Sequence, residues 1–114
     1  MNVLWLQSGG CGGCSMSLLC ADTADFPAML KSGGIELLWH PSLSLASGRE
    51  LITLLEGCRD GRTKLDVLCV EGSLLRGPNG TGRFHMLAGT GLPMIDWVRA
   101  LAAAATHVVA VGPC

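Results

Sequence analysis

Four short apolar runs recur along the chain at intervals of about 30 to 40 residues. Each run is long enough for a β-strand and too short for an α-helix. The apolar residues within a run are nearly continuous rather than alternating, which is typical of strands in a parallel sheet covered on both faces. The pattern therefore predicts a parallel sheet with strands at residues 3–6, 35–39, 67–70 and 107–111.

The segments between these runs have the character of helices, and strand–helix alternation favours an α/β fold. One segment is different, because residues 72–92 contain six glycines and are too long for an ordinary connection between a strand and a helix. We interpret that segment as one long functional loop. Helices are predicted at residues 15–21 with a continuation near 26–31, at 47–58 and at 93–105.

Composition narrows the classes of partner. Only 15% of the residues are charged and 49% are hydrophobic, so a large part of the surface is expected to meet a protein partner rather than water. The net charge of −1 gives no electrostatic basis for binding nucleic acid or an anionic membrane. No apolar stretch reaches the roughly 18 residues of a membrane span, so we expect no direct membrane insertion. The apolar residues 3–6 lie too close to Met1 to follow the charged region of a signal peptide, so we expect a cytoplasmic location.

Three cysteines follow predicted strands and are expected to lie close together in the fold. Cys11 and Cys14 form a C-x-x-C motif after the first predicted strand, and Cys114 follows the fourth. The carboxyl ends of parallel strands lie at one edge of the sheet, and ligands bind there. We therefore expect the three thiols to meet at this edge. Glu71 directly follows the third strand and is expected to face the same edge rather than solvent.

Three thiolates at one edge suit a soft metal centre, although a [4Fe–4S] cluster or a four-cysteine zinc site needs a fourth ligand. A thioredoxin-like dithiol formed by Cys11 and Cys14 is an alternative that their spacing leaves open. The remaining cysteines lie in apolar or helical surroundings and are expected to be small buried hydrophobic residues. They are Cys20, Cys58 and Cys69.

Three segments together resemble the small, electron-transferring subunit of [NiFe] hydrogenases: residues 3–15 with their Cys-Gly-Gly-Cys motif, residues 70–73, and residues 110–114. The resemblance covers the whole chain and implies a flavodoxin-like, doubly wound parallel sheet. It also implies that Cys11, Cys14 and Cys114 are three ligands of the proximal [4Fe–4S] cluster, with the fourth beyond this chain. Glu71 would then lie beside the ligands, where it anchors backbone amides or touches the partner subunit.

The resemblance further implies a separate large subunit that holds the nickel–iron site, with carbonyl and cyanide ligands on the iron. The other iron–sulfur clusters would bind in a C-terminal domain that residues 1–114 lack. We therefore expect an incomplete domain, which ends after its fourth strand and does not fold alone. In function, such a chain would transfer electrons as the enzyme oxidises hydrogen.

Within the family, residues 75–85 resemble the cytoplasmic, hydrogen-sensing branch. That branch implies a sensor histidine kinase as partner and a dimer of heterodimers. Slow hydrogen uptake is the alternative role.

Overall fold

The computed structural model describes residues 1–19, 26–41, 44, 48–87 and 89–112. Every predicted strand and helix is present, and each described end lies within two residues of its predicted position. In this part of the chain no helix is long and apolar enough to cross a membrane. The elements are β1 (Asn2–Gln7), α1 (Gly13–Leu19), α2 (Phe26–Ser32), β2 (Glu36–Trp39), α3 (Arg49–Arg59), β3 (Val67–Glu71), β4 (Met86–Leu87), β5 (Leu92–Pro93), α4 (Met94–Ala104) and β6 (His107–Val111).

The main sheet has four parallel strands in the order β2-β1-β3-β6. Strand order reverses at β1, because the chain moves outward to β2 and then crosses back to β3. This order is that of the flavodoxin-like fold, so the predicted fold class is confirmed. The two central strands, β1 and β3, end side by side at the edge where the candidate site was expected.

Hydrophobic cores lie on both faces of the sheet. Leu4 and Leu6 of β1 belong to the larger core, which includes residues of α3 and α4. Trp5 of β1 points to the opposite face and belongs to a smaller core that Leu18 and Leu30 of the first two helices cover. The sheet is therefore doubly wound. Two of the cysteines expected to be hydrophobic residues are buried in these cores, Cys58 in the first and Cys69 in the second.

Strand β6 is the most exposed strand of the main sheet in the part of the chain that the structure describes. Val108 and Val109 point to opposite faces of the sheet, yet they are 52% and 44% exposed. Among the described strands, β6 pairs only with β3 and lies at the edge of the sheet. The apolar run correctly predicted this strand.

The segment after β3 was predicted to be one continuous loop, and here the structure differs. It contains a small antiparallel hairpin in which Met86 pairs with Pro93 and Leu87 with Leu92. Thr90 closes the hairpin turn, since its backbone N–H and its hydroxyl both donate to the carbonyl of Leu87. Several glycines of this segment therefore belong to specific turns.

The ends of the two central strands approach each other backbone to backbone. Gly9 and Ser73 exchange two hydrogen bonds, of 2.8 and 3.0 Å. Gly72, between β3 and Ser73, has φ +91°, and a Cβ built on it would lie 2.9 Å from the carbonyl carbon of Gly9. Only glycine fits this position, because both the conformation and the space exclude a side chain.

We predict that Gly72→Ala lowers the free energy of unfolding more than Gly61→Ala. Gly61 has φ +82° and open space around it, so alanine there costs only the conformational strain of about 1–2 kcal/mol. Alanine at position 72 adds a backbone clash of roughly 1–3 kcal/mol. Thermal unfolding of the full-length protein carrying each substitution measures the difference, and equal losses would contradict the close approach.

Candidate functional site at the carboxyl edge of the sheet

The C-x-x-C motif forms the turn between β1 and α1. Cys11 is exposed in this turn, and Cys14 lies in the first turn of α1. The backbone N–H of Gly13 donates a 3.3 Å hydrogen bond to Sγ of Cys11. Gly12, between these two residues, has a positive φ of +76°. The tight turn at Gly12 brings the N–H of Gly13 within hydrogen-bonding distance of the Cys11 thiol.

The thiol of Cys14 lies against the end of β6. A Cβ built on Gly112, the residue after β6, would be 2.6 Å from Sγ of Cys14. A side chain at position 112 would therefore occupy the place of the thiol. The structure brings the C-x-x-C turn next to the segment that leads to Cys114, which itself lies outside the described residues, as does Cys20. The meeting of Cys114 with the other two cysteines stays a prediction.

The donors that are described fit a soft metal centre. Thiolate sulfur is the ligand of iron–sulfur clusters and of structural zinc, and an N–H···S bond such as that to Cys11 stabilises the thiolate. Within the described ranges no group of three or more histidine, cysteine, aspartate or glutamate side chains could hold a metal ion. Cys114, the third expected ligand, lies outside these ranges.

Glu71 is buried beneath the C-x-x-C turn, with only 2% of its surface exposed. One carboxylate oxygen accepts a 3.0 Å hydrogen bond from the backbone N–H of Ser15, the residue after Cys14. The other accepts hydrogen bonds from the Ser15 hydroxyl and, at 3.1 Å, from Nε1 of Trp5. Glu71 thus faces this edge from inside the protein and ties α1 to β1 and β3.

His40 extends this group of polar side chains. It follows β2, is fully buried, and places Nε2 3.3 Å from the Ser15 hydroxyl. Its ring lies 5.0 Å from the ring of Trp5. Sequence reasoning assigned no site role to His40, Trp5 or Ser15. The one available signal was the indole N–H of Trp5, which needs a hydrogen-bond partner on a strand that is buried on both faces.

The charges of Glu71 and His40 follow from this packing. Burial raises the pKa of Glu71, but hydrogen bonds from Ser15 and Trp5 and the charge of His40 lower it, with a net shift below its ordinary value. Burial lowers the pKa of His40, and this effect exceeds the opposing one of the Glu71 charge. The pair at neutral pH is therefore a carboxylate beside a neutral imidazole.

The comparisons with known proteins agree with the fold. The family described as "NADH ubiquinone oxidoreductase, 20 Kd subunit" matches residues 11–114. The Hydrogenase-2 small chain of Escherichia coli is 32% identical over 112 residues, and the match covers 98% of this chain. The quinone-reactive Ni/Fe-hydrogenase small chain of Wolinella succinogenes is 30% identical over 115 residues and covers 100% of it.

Among solved structures, a [NiFeSe] hydrogenase from Desulfovibrio vulgaris Hildenborough superposes with a TM-score of 0.81 at 27% identity, over 99% of this chain. The chain spans 29% and 31% of the lengths of the two curated relatives and 40% of the solved chain. The similarity therefore concerns one part of these longer proteins.

We predict that Glu71→Gln destabilises the protein by about 1–3 kcal/mol, the usual cost of a buried donor without an acceptor. The glutamine amide can take two orientations, and in each its N–H₂ group faces a donor, either the N–H of Ser15 or that of Trp5. That donor then has no acceptor. Glu36→Gln is the matched control, because Glu36 is an exposed carboxylate on β2. Thermal unfolding should show a marked loss for the first variant and little change for the second.

Acid should destabilise the protein, with His40 responsible for the first part of the loss. Since folding lowers the pKa of His40 from 6.5, the unfolded chain binds more protons as the pH falls through that value, and the free energy of unfolding decreases. Glu71 acts in the same direction as the pH falls below its ordinary value of 4.5. The melting temperature should decrease less between pH 7 and pH 5 in His40→Gln than in a variant of the exposed His107, His107→Gln. Parallel slopes in the two variants would contradict this assignment.

Proposed function

We propose that this chain, which belongs to the family of the NADH ubiquinone oxidoreductase 20 Kd subunit, is the proximal-cluster part of a hydrogenase small subunit. In this proposal it transfers electrons between a nickel–iron site, held by a separate large subunit, and a further electron carrier. The names of its curated relatives support hydrogen as the substrate. The observation that carries the proposal is the position of Cys14 against Gly112, at the end of β6.

In this function Cys11, Cys14 and Cys114 hold a [4Fe–4S] cluster together with a fourth thiolate from outside residues 1–114. A bound cluster supplies one-electron oxidation and reduction. The N–H of Gly13 stabilises the negative sulfur of Cys11, and hydrogen bonds to cluster sulfurs are one means by which proteins tune the reduction potential. Gly112 leaves the thiol of Cys14 the space that a side chain would fill.

Glu71 has a positioning role in this function. It binds both polar groups of Ser15, the residue directly after Cys14, and so fixes the start of α1 relative to β3. Because the carboxylate is buried and hydrogen-bonded, the position of α1 does not depend on an exposed loop contact. A ligand held in this way keeps its geometry when the charge of the metal centre changes.

We predict that Cys11→Ala and Cys14→Ala lose iron and inorganic sulfide from the small subunit purified with its large subunit. Cys58→Ala and Cys69→Ala are the matched controls, since both thiols are buried in the hydrophobic cores. The controls should retain iron and the paramagnetic resonance signal of a reduced [4Fe–4S] cluster. Chemical analysis for iron, sulfide and zinc in all four variants checks the prediction.

Two results would contradict the iron–sulfur proposal. A wild-type preparation that contains zinc and no iron would assign a structural metal site. A preparation without metal, in which Cys11 and Cys14 titrate as a reversible disulfide, would assign a dithiol oxidoreductase. The assignment of the ligands is tested separately. If iron were lost from the Cys58→Ala or Cys69→Ala variant but kept in Cys11→Ala and Cys14→Ala, the ligands would lie elsewhere in the chain.

A narrower part of the proposal is that the enzyme senses hydrogen in the cytoplasm, with a sensor histidine kinase as its partner and a dimer of heterodimers as its assembly. Its support is the resemblance of residues 75–85 to the sensing branch. Slow hydrogen uptake is the competing role.

We predict that hydrogen changes the autophosphorylation of a histidine kinase that copurifies with the subunit pair. Electron delivery to a quinone, with no kinase bound, would assign the uptake role instead. Parallel assays of the same preparation, with and without hydrogen, distinguish the two.

A further inference from the structure

The segment between β3 and α4 presents an unusual amount of apolar surface to solvent. We call its described residues, 74–87 and 89–93, the arm. Phe84 is 75% exposed, more than any other large hydrophobic residue that the structure describes. Exposed apolar groups of this size, when clustered, are typical of protein interfaces. Four further exposed residues of the arm are Leu74, Leu75, Met86 and Leu92, each between 36% and 41% exposed.

Backbone hydrogen bonds surround the exposed Phe84. The N–H of Gly82 donates to the carbonyl of Arg76 at 2.8 Å, and the N–H of Phe84 donates to that of Gly77 at 3.1 Å. A further hydrogen bond, from Met94 to His85, attaches the arm to the start of α4. An aromatic side chain held in this way loses little conformational entropy when a partner binds it.

The ring of Phe84 lies directly on the backbone of Gly77. A Cβ built on Gly77 would be 2.7 Å from the ring, so any side chain at this position would displace it. One part of the ring therefore contacts the arm, while most of its surface remains open to a partner. Position 77 gives a second way to alter the surface without changing the phenylalanine itself.

The charge of the arm is opposite in sign to that of the whole chain. Residues 72–93 contain Arg76 and Arg83 but no aspartate or glutamate, whereas the chain has a net charge of −1. Both arginines are exposed, and neither forms an ion pair with any residue that the structure describes. Aromatic and arginine side chains are enriched at the energetic centres of interfaces. The complementary surface would carry carboxylates around an apolar pocket.

The arm begins beside the candidate site. Ser73, immediately before it, pairs with Gly9, which is two residues before Cys11. A protein that covers the C-x-x-C turn would therefore reach the base of the arm as well.

We propose that Phe84, Arg76 and Arg83 form a docking surface for an acidic face of the partner protein that covers the C-x-x-C turn. The inference rests on the proposed function, in which this partner is the hydrogenase large subunit. It adds to that function the residues that bind the partner and the chemistry of the partner surface. Phe84 fills an apolar pocket, and the two arginines meet carboxylates at its rim.

The test measures association of the iron-loaded small subunit with its large subunit. Phe84→Ala and the double variant Arg76→Glu/Arg83→Glu should each weaken association by about tenfold or more, as expected for residues at the centre of an interface. Gly77→Ala should weaken it as well, because alanine displaces the ring. Added salt should weaken the wild-type complex more than the Arg76→Glu/Arg83→Glu complex.

Lys31→Glu/Lys64→Glu is the matched control for the double variant. It makes the same change of charge, but both lysines precede strands and so lie at the opposite, amino edge of the sheet. Its association should equal that of the wild type. Equal iron content in all variants shows that the chain around the cysteines has folded.

Arm variants that hold iron and bind the large subunit as tightly as the wild type would overturn this inference and leave the proposed function intact. A wild-type protein that neither holds iron nor binds the large subunit would overturn both. An equal loss of association in the lysine control would also overturn the inference, because the effect would then follow net charge rather than this surface.

Discussion

The buried carboxylate of Glu71 connects the elements that build the candidate site. It lies at the end of β3 and accepts hydrogen bonds from Trp5 on β1 and from Ser15 on α1. An ionised carboxylate is costly to bury without hydrogen-bond donors, so the burial of Glu71 depends on these donors. The start of α1, and with it Cys14, is therefore fixed by an interaction inside the protein. His40 closes the group on the side of β2.

Glycine provides the second constraint, since it lets backbone segments meet where side chains would separate them. Gly72 allows the ends of β1 and β3 to touch, and Gly112 makes room for the thiol of Cys14. The edge of the sheet is thus assembled from three segments distant in sequence. Because the N–H of Gly72 also donates a hydrogen bond to the carbonyl of Val111, the ends of β1, β3 and β6 form one continuous surface. A cluster bound there would contact a preformed site.

Much of this fold was predictable from the sequence. Apolar runs and helical segments predicted the parallel sheet, and the topology of such sheets predicted which strand ends share an edge. The apolar run of β6 predicted a strand, but a run by itself shows that residues are apolar and not what covers them. Sequence reasoning placed Glu71 at this edge, but it did not find the contacts of Glu71 with Trp5 and Ser15 or the place of His40 beside them. Successive members of this group are 10, 25 and 31 residues apart in the chain and follow no local period.

In the proposed function, the cysteines at this edge hold an iron–sulfur cluster. The most direct test is X-ray diffraction from crystals of the subunit complex, with data collected on both sides of the iron absorption edge and of the zinc edge. We expect an iron-specific anomalous peak bounded by Cys11, Cys14 and the chain after Gly112. A zinc-specific peak at that place, or a Cys11–Cys14 disulfide with no anomalous density beside it, would show that these cysteines hold no iron–sulfur cluster.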